Sequence, residues 1–281
     1  MPARSDYELV DFGGGARLER FAGRLVDRPH PGALGSRAEA AAWQRADLRF
    51  DRDRGWSGPG PTAGAWPFEH DGLTLELRPT DAGQVGLFPE HLGMLGWLRA
   101  QIDRRLVAGR PPEVLHLFAY TGLATLAMAG AGAEVTHLDA SKPTVAWARR
   151  NAELSGLSDR PIRWIVDDAI AFTEREVRRG REYAGIVLDP PSYGHGPSSR
   201  SWRLDDGLPR LLAACARAIS PDGFVLLTAH TQGFEAGRLA RLLGESFASA
   251  QGQIDRGELG VTAANGRVLE LGAFARTTGR A

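Results

Sequence analysis

Cysteine is nearly absent from this chain, with a single residue, Cys215, in 281 positions. One thiol cannot close an internal disulfide or supply the ligands of a cysteine zinc site, so we expect a protein of a reducing compartment that holds no metal. The chain also lacks an apolar run of 18 residues, and no signal-peptide pattern follows Met1. These absences predict neither a membrane span nor export, which makes the cytoplasm the expected location.

Net charge is absent as well, because 34 Lys+Arg balance 34 Asp+Glu. This balance excludes a protein that binds nucleic acid through a general excess of positive charge, since such binding depends on counterions released by cationic side chains. Any contact with RNA must then come from a local group of arginines. The length allows one large domain, or one of about 200 residues with a smaller partner.

The first 80 residues consist of short alternating runs separated by glycine and proline, as in Gly13-Gly14-Gly15 and the segment 55–61. Alternation between turn signals predicts β-hairpins. Segments 38–43 and 92–107 have helical patterns instead. We predict a small β-rich N-terminal domain over residues 1–80.

A regular alternation of strands and helices begins at Glu113, which predicts a parallel sheet covered by helices. The expected strands cover 114–118, 134–138, 162–166, 184–188 and 223–228, and the expected helices start near Gly122, Ser141, Ala169, Asp205 and Phe234. Two last strands, separated by the turn signal Asn265-Gly266, would add an antiparallel edge. Residues 81–281 are therefore predicted to form an α/β domain with a Rossmann-like sheet.

Ligands of such sheets bind beyond the carboxyl ends of the strands, so the loop after the first strand is informative. Its sequence is Phe118-Ala119-Tyr120-Thr121-Gly122. A dinucleotide pyrophosphate needs several glycines, and only one is present. The loop suits a ligand with adenosine and a charged amino acid better than it suits NAD. The alternative is an ordinary strand-to-helix turn.

Acidic residues follow the second and third strands. A carboxylate at Asp139 can accept hydrogen bonds from both hydroxyls of a ribose. The alternative is that Asp139 or Ser141 caps the following helix. After the third strand we assign Asp168 to the exocyclic amine of adenine, again with helix capping as the alternative.

The fourth strand leads into Asp189-Pro190-Pro191-Ser192-Tyr193. The prolines fix the backbone and remove two N–H donors, so the Asp189 side chain and nearby carbonyl groups are expected to face a ligand. Asp189 and the Pro190 carbonyl can orient an acceptor nitrogen, and Tyr193 can stack on a flat substrate. The alternative is a proline-rich surface turn.

As a set, these segments resemble the class I S-adenosylmethionine-dependent methyltransferases, in particular large-subunit ribosomal RNA methyltransferases with a small N-terminal domain. The resemblance is carried by Gly86 to Glu90, Phe118 to Gly122, Asp139 to Lys142, Asn151 to Leu157 and Asp189 to Tyr193. It implies S-adenosyl-L-methionine as the cofactor. The residues that it implies around the cofactor are Phe88, Phe118, Ala119, Tyr120, Thr121, Gly122, Asp139, Ala140, Ser141, Asp168 and Asp189. It places Asp189, Pro190 and Tyr193 at the acceptor.

Relatives that methylate carbon C5 of cytosine need a thiolate that adds to the base. Here Thr228-Ala229-His230-Thr231 stands where they carry a cysteine, and Cys215 lies on the predicted buried face of a helix. We therefore expect methylation of an RNA base, ribosomal RNA being favoured, without a catalytic cysteine. His195 or His230 could take a proton from the acceptor.

The expected RNA contact is a local basic patch at Arg200 and Arg203. A small molecule or a protein side chain is an alternative acceptor. From other functional classes, a nicotinamide-dependent dehydrogenase and an inactive RNA-binding module remain open. Stabilisation by NAD rather than S-adenosylhomocysteine would favour the dehydrogenase.

Overall fold

The computed structural model describes residues 6–106, 111–195, 201–247 and 252–279. The chain divides into two compact units. The first comprises Met1–Leu92 and Gly260–Leu271, and the second Gly93–Leu259 and Gly272–Ala281. The predicted boundary between domains at residues 80 and 81 stays a prediction.

The first unit contains a five-stranded sheet and a separate hairpin. The strands of the sheet, in spatial order, are β1 (Tyr7–Gly13), β2 (Ala16–Phe21), β3 (Arg24–Pro29), β4 (Leu48–Asp51) and β5 (Gly55–Ser57). A short helix, α1 (Ala40–Gln44), precedes β4 in the chain, and β6 (Trp66–His70) and β7 (Leu73–Leu77) form the hairpin. In both hairpin strands burial alternates with a period of two, as expected for a half-buried pair.

The segment Gly260–Leu271 returns to the first unit late in the chain. Ala263 forms a parallel bridge with Leu9, and Leu269 packs in the same apolar cluster as Leu9. The Arg267 guanidinium donates a 2.8 Å hydrogen bond to the carbonyl of Phe12. The turn signal at Asn265-Gly266 specifies local pairing only, so the sequence pattern did not indicate this return.

The second unit is built on a seven-stranded sheet in the order β10-β9-β8-β11-β14-β16-β15. These strands are β8 (Glu113–Leu117), β9 (Glu134–Asp139), β10 (Ile162–Val166), β11 (Tyr183–Leu188), β14 (Ile219–Ala229), β15 (Ile254–Thr262) and β16 (Val268–Thr278). The first five strands in spatial order run parallel, and β16 pairs with β14 antiparallel. The prediction of a mostly parallel Rossmann-like sheet with an antiparallel C-terminal edge is confirmed.

Helices alternate with the parallel strands. They are a 3₁₀ helix (Pro89–Met94), α2 (Leu95–Leu106), α3 (Leu123–Gly130), α4 (Lys142–Leu154), α5 (Ala169–Arg178), α6 (Leu204–Ala218) and α7 (Ala236–Ser246). A small hairpin, β12 (Tyr193–His195) and β13 (Ser201–Arg203), follows β11. Within the described residues, no helix combines the length and apolar character needed to cross a membrane.

The core of the second unit includes the chain's one thiol. Cys215 on α6 is fully buried in the same apolar cluster as Leu188 and Val225. Burial raises the pKa of this thiol to about 12. The interpretation of Cys215 as a core residue is confirmed, because so deeply buried a thiol cannot act as a thiolate nucleophile at neutral pH.

Candidate active site

The loop after β8 has a strained backbone. Phe118 and Tyr120 have φ of 55° and 49°, in the left-handed region that residues other than glycine rarely adopt. The Ala119 N–H donates to the carbonyl of Leu138 at 3.0 Å, and the buried amide of Asn151 donates to the carbonyl of Thr121 at 2.9 Å. Neighbouring elements thus hold a conformation that costs on the order of 1–3 kcal/mol per strained residue, as is common at functional sites.

Gly122 ends this loop with φ of 89° at the start of α3. A Cβ built on it would lie 3.2 Å from the Cβ of Ala148 on α4. Both the backbone conformation and this close packing favour glycine. The single glycine of the loop therefore serves helix packing, and its presence does not require a phosphate ligand.

Asp139, at the end of β9, is joined to this loop. Its Oδ2 accepts a 3.0 Å hydrogen bond from the Tyr120 N–H, and its Oδ1 accepts a 2.9 Å bond from the Ser141 N–H. Burial raises the pKa of Asp139 despite these bonds, which favour the carboxylate. Ser141 is the residue that caps α4, accepting from the Thr144 N–H at 3.3 Å. Ala140 lies between them, and contact of these residues with a ribose stays a prediction.

Asp168 caps α5 with its side chain. Its Oδ1 accepts a 2.8 Å hydrogen bond from the Ala171 N–H. The neighbouring Asp167 accepts from the Asp168 N–H and forms an ion pair with Arg175. The structure therefore shows the capping role that we considered as the alternative, while a contact of Asp168 with adenine stays a prediction.

Asp189 follows β11, the strand that pairs directly with β8. The Thr228 hydroxyl donates a 2.6 Å hydrogen bond to its Oδ1, and His230 Nε2 lies 3.1 Å from the same oxygen. The Asp189 side chain keeps 18% of its surface exposed, so a carboxylate oriented by two neighbours lies within reach of solvent. Asp189 and His230 were candidate site residues from the sequence, whereas the contact of Thr228 with Asp189 was not predicted.

The segment after Asp189 is held by the β12–β13 hairpin. The Trp202 indole donates a 2.6 Å hydrogen bond to the carbonyl of Pro191, and the Ser192 hydroxyl lies 2.6 Å from that of Thr231. Pro190 is buried in this segment, whereas Pro191 is exposed. A contact of the segment with an acceptor stays a prediction.

Tyr193 is 72% exposed on this hairpin, and the Arg203 guanidinium lies 5.9 Å from the centre of its ring. An exposed aromatic ring beside a cation is suited to contact with a nucleotide. Arg200 and the side chain of His195 lie outside the described residues. The basic patch is therefore visible here only at Arg203.

Trp202 is a site residue that sequence analysis missed. Its ring lies 5.1 Å from that of Phe118, so it connects the hairpin with the loop after β8. It stands eleven positions beyond Pro191, after a segment of glycine, proline and serine with no alternating pattern. The sequence before Trp202 therefore has no periodicity that would indicate its place in the site.

Phe88 belongs to the first unit, where it is partly buried and its ring lies 6.0 Å from that of His91. The expectation that Phe88 covers a cofactor stays a prediction.

Comparison with solved structures gives matches that cover nearly the whole chain. The SAM-dependent methyltransferase from Agrobacterium tumefaciens is 38% identical with a TM-score of 0.92, and the alignment covers 98% of this chain and 91% of that one. A SAM-dependent methyltransferase from Streptococcus mutans is 14% identical with a TM-score of 0.78, over 98% of this chain and 75% of that one. At the lower identity the likeness shows the fold alone.

Curated proteins match a shorter part of the chain, and no family model matches it. Ribosomal RNA large subunit methyltransferase K/L from Methylococcus capsulatus is 31% identical over 179 residues, which are 62% of this chain and 23% of that protein. The protein of the same name from Magnetococcus marinus is 30% identical over 167 residues, 58% of this chain and 22% of its own. The chain thus spans less than a quarter of the length of these relatives.

Proposed function

Since this chain belongs to the S-adenosylmethionine-dependent methyltransferases, we propose that it methylates a base in RNA, with ribosomal RNA as the favoured substrate. The observation that carries the proposal is the Asp189 carboxylate, oriented by Thr228 and His230 beside the strand that enters the loop Phe118–Gly122. The ribosomal RNA methyltransferases K/L that match the sequence support RNA as the substrate.

The residues at the ends of β8 and β9 fit the cofactor. When bound, S-adenosylmethionine supplies an electrophilic methyl group on a sulfonium sulfur. Asp139 offers a partly buried carboxylate whose remaining lone pairs can accept hydrogen bonds from the hydroxyls of a ribose. The strained loop from Phe118 to Gly122 holds its backbone against β9 and α4, which suits the methionine portion of the cofactor.

The residues after β11 fit an acceptor nitrogen. In the proposed reaction the Asp189 carboxylate and the Pro190 carbonyl accept hydrogen bonds from an amine or ring N–H and hold the nitrogen in line for transfer. Orientation of this kind contributes more to a methyl transfer than activation of the nucleophile does. His230, 3.1 Å from Asp189, takes the proton that the nitrogen loses.

Tyr193 and Arg203 are suited to bind an unstacked nucleotide. The exposed ring of Tyr193 can stack on an unpaired base, and Arg203 can neutralise a phosphate beside it. Methylation at a ring carbon through a protein thiolate does not suit this chain, because its one cysteine is buried in the core with a raised pKa.

The test combines cofactor binding with transfer of label. We expect S-adenosylhomocysteine to bind in a calorimetric titration, and the tritiated methyl group of S-adenosylmethionine to enter ribosomal RNA from a strain that lacks this protein. Asp189→Asn should retain binding of S-adenosylhomocysteine and lose most of the transfer. Tyr193→Ala should lower transfer to RNA at least about fivefold, since stacking is worth about 1–3 kcal/mol per base. The matched variant Tyr193→Phe keeps the ring and should stay within about threefold.

Two results would contradict the proposal in different ways. Incorporation of label into a small molecule or a protein, but never into RNA, would leave the family assignment intact and show that RNA is not the substrate. Equal transfer by Tyr193→Ala and the wild type would show only that Tyr193 does not stack on the substrate base.

A further inference from the structure

The first unit contains a cavity of about 320 Å³, and all the residues that line it belong to this unit. Three arginines, Arg17, Arg28 and Arg52, line it. Of the described lining residues, Asp81 is the one carboxylate, and it is exposed. The volume lies at the lower end of the usual range for small-ligand sites, which begins at roughly 300 Å³.

Two of these arginines are buried and share one carboxylate. Arg28 is 1% exposed, and its Nε donates a 2.9 Å hydrogen bond to Glu19 Oε2, while its Nη1 donates to Gln84 Oε1 at 2.8 Å. The other oxygen of Glu19 accepts from the Tyr7 hydroxyl at 3.1 Å. Glu19 is fully buried and offsets the charge of one guanidinium.

Arg17 is the second buried arginine of the cavity, and the single charge of Glu19 cannot offset both guanidinium groups. Its side chain is 6% exposed, and its Nε lies 3.3 Å from Glu19 Oε2. Among the residues that the structure describes, no acceptor forms a hydrogen bond with Nε or Nη1 of Arg17. A buried guanidinium that shares its carboxylate with a second arginine, and leaves two nitrogens without hydrogen-bond acceptors, is unfavourable. The usual partner that relieves such a cation is an anion.

A turn held by backbone hydrogen bonds forms another part of the cavity lining. The turn from Thr80 to Gln84 is closed by two backbone bonds of 2.9 Å, from Thr80 N to Gln84 O and from Gly83 N to Thr80 O. Gly83 has φ of 76°, and a Cβ built on it would lie 2.4 Å from the ring of Phe50. This part of the lining is therefore held in place, and Phe50 lines the cavity together with the arginines.

We propose that this cavity binds a phosphate group, with Arg17 as its principal ligand and Arg52 at its entrance. Arginine presents paired N–H donors that match two oxygens of a phosphate. Inorganic phosphate, a mononucleotide and the backbone of an RNA strand all offer this group. The site does not depend on the proposed methyl transfer.

The experiment is a titration of the whole protein with inorganic phosphate at constant ionic strength, by calorimetry and by thermal unfolding. We expect saturable binding that Arg17→Met weakens at least tenfold. Because Arg17 shares the Glu19 carboxylate with Arg28, its removal should leave the thermal midpoint of this variant in phosphate-free buffer unchanged or raised. The control, Arg20→Met, lies on the same strand β2 with its side chain half-exposed and paired to Glu8, and it should bind phosphate as the wild type does.

Two further variants keep the test decisive if Arg17→Met does not fold. Arg52→Ala should weaken phosphate binding several-fold, and Asp81→Asn should strengthen it, because each changes the charge at the entrance. Competition by adenosine monophosphate or by a short RNA against phosphate then identifies which source the site accepts. Wild-type affinity for phosphate in folded Arg17→Met, or no saturable binding in the wild type, would overturn the proposal.

Discussion

At the scale of single residues, Asp139 is the carboxylate whose loss should affect the cofactor most directly. We expect Asp139→Asn to weaken binding of S-adenosylhomocysteine at least tenfold, since hydrogen bonds to a charged group contribute about 1.5–3 kcal/mol. Stability should change little, because the hydrogen bond lost from Tyr120 or Ser141 is offset by removal of a partly buried charge whose pKa burial raises. Calorimetric titration and thermal unfolding measure the two effects.

The control for this substitution is Asp159→Asn, at an exposed position beyond α4. It should leave both the affinity and the stability as they are. Unchanged affinity in folded Asp139→Asn would show that this carboxylate does not hold the ribose.

His137 provides a pH-dependent contribution to stability. Its ring is fully buried, with Nδ1 2.9 Å from the hydroxyl of Thr125, and burial lowers its pKa well below the usual value of 6.5. The unfolded chain therefore binds a proton below about pH 6.5 that the folded chain does not, and stability falls as the pH decreases through this value.

We expect the loss in unfolding free energy between pH 7.5 and pH 5.5 to be about 1 kcal/mol smaller in His137→Asn than in the wild type, since one proton accounts for about 1.4 kcal/mol per pH unit. Urea unfolding at the two pH values measures this difference. Equal losses in both proteins would contradict the prediction, because they would mean that unfolding changes the number of protons bound by His137 very little over this range.

At the scale of elements, the start of α5 separates a structural role of Asp168 from a binding role. Because its Oδ1 caps the helix, Asp168→Ala should lower the free energy of unfolding by about 1 kcal/mol, while Asp168→Asn, which can still cap, should lower it less. If the side chain also contacts adenine, both variants should bind S-adenosylhomocysteine more weakly. Loss of stability in Asp168→Ala with unaltered affinity in both variants would leave capping as the whole function of this residue.

Elements specified by local pattern were predictable from the sequence. Strands β8 and β11 are largely apolar runs between turn signals, and their positions follow from this local sequence pattern. The contacts of Trp202 and the return of Gly260–Leu271 to the first unit were not predictable, because they join parts of the chain without a shared period.

At the scale of the whole molecule, the place of the candidate site followed from topology. Once the sheet is parallel, the ends of β8, β9 and β11 lie at one edge, so Asp139 and Asp189 could be assigned before their distances were known. The partners of Asp189 were harder to predict. Thr228 lies inside an apolar strand, where a hydroxyl gives no sequence signal of its role.

The neutral charge of the chain leads to a last prediction. With 34 positive and 34 negative side chains, RNA affinity should depend on a few arginines, of which Arg17, Arg52 and Arg203 are the described candidates. Three phosphate contacts predict a slope of about −2 when the logarithm of affinity for a single-stranded RNA is plotted against the logarithm of salt concentration. Filter binding or fluorescence anisotropy from about 50 to 300 mM salt measures this slope.

Arg203→Met should reduce the magnitude of the slope by about 0.7, whereas Arg20→Met should leave it unchanged. A slope steeper than about −4 would contradict local contact, because it requires more phosphates neutralised than these three arginines can reach.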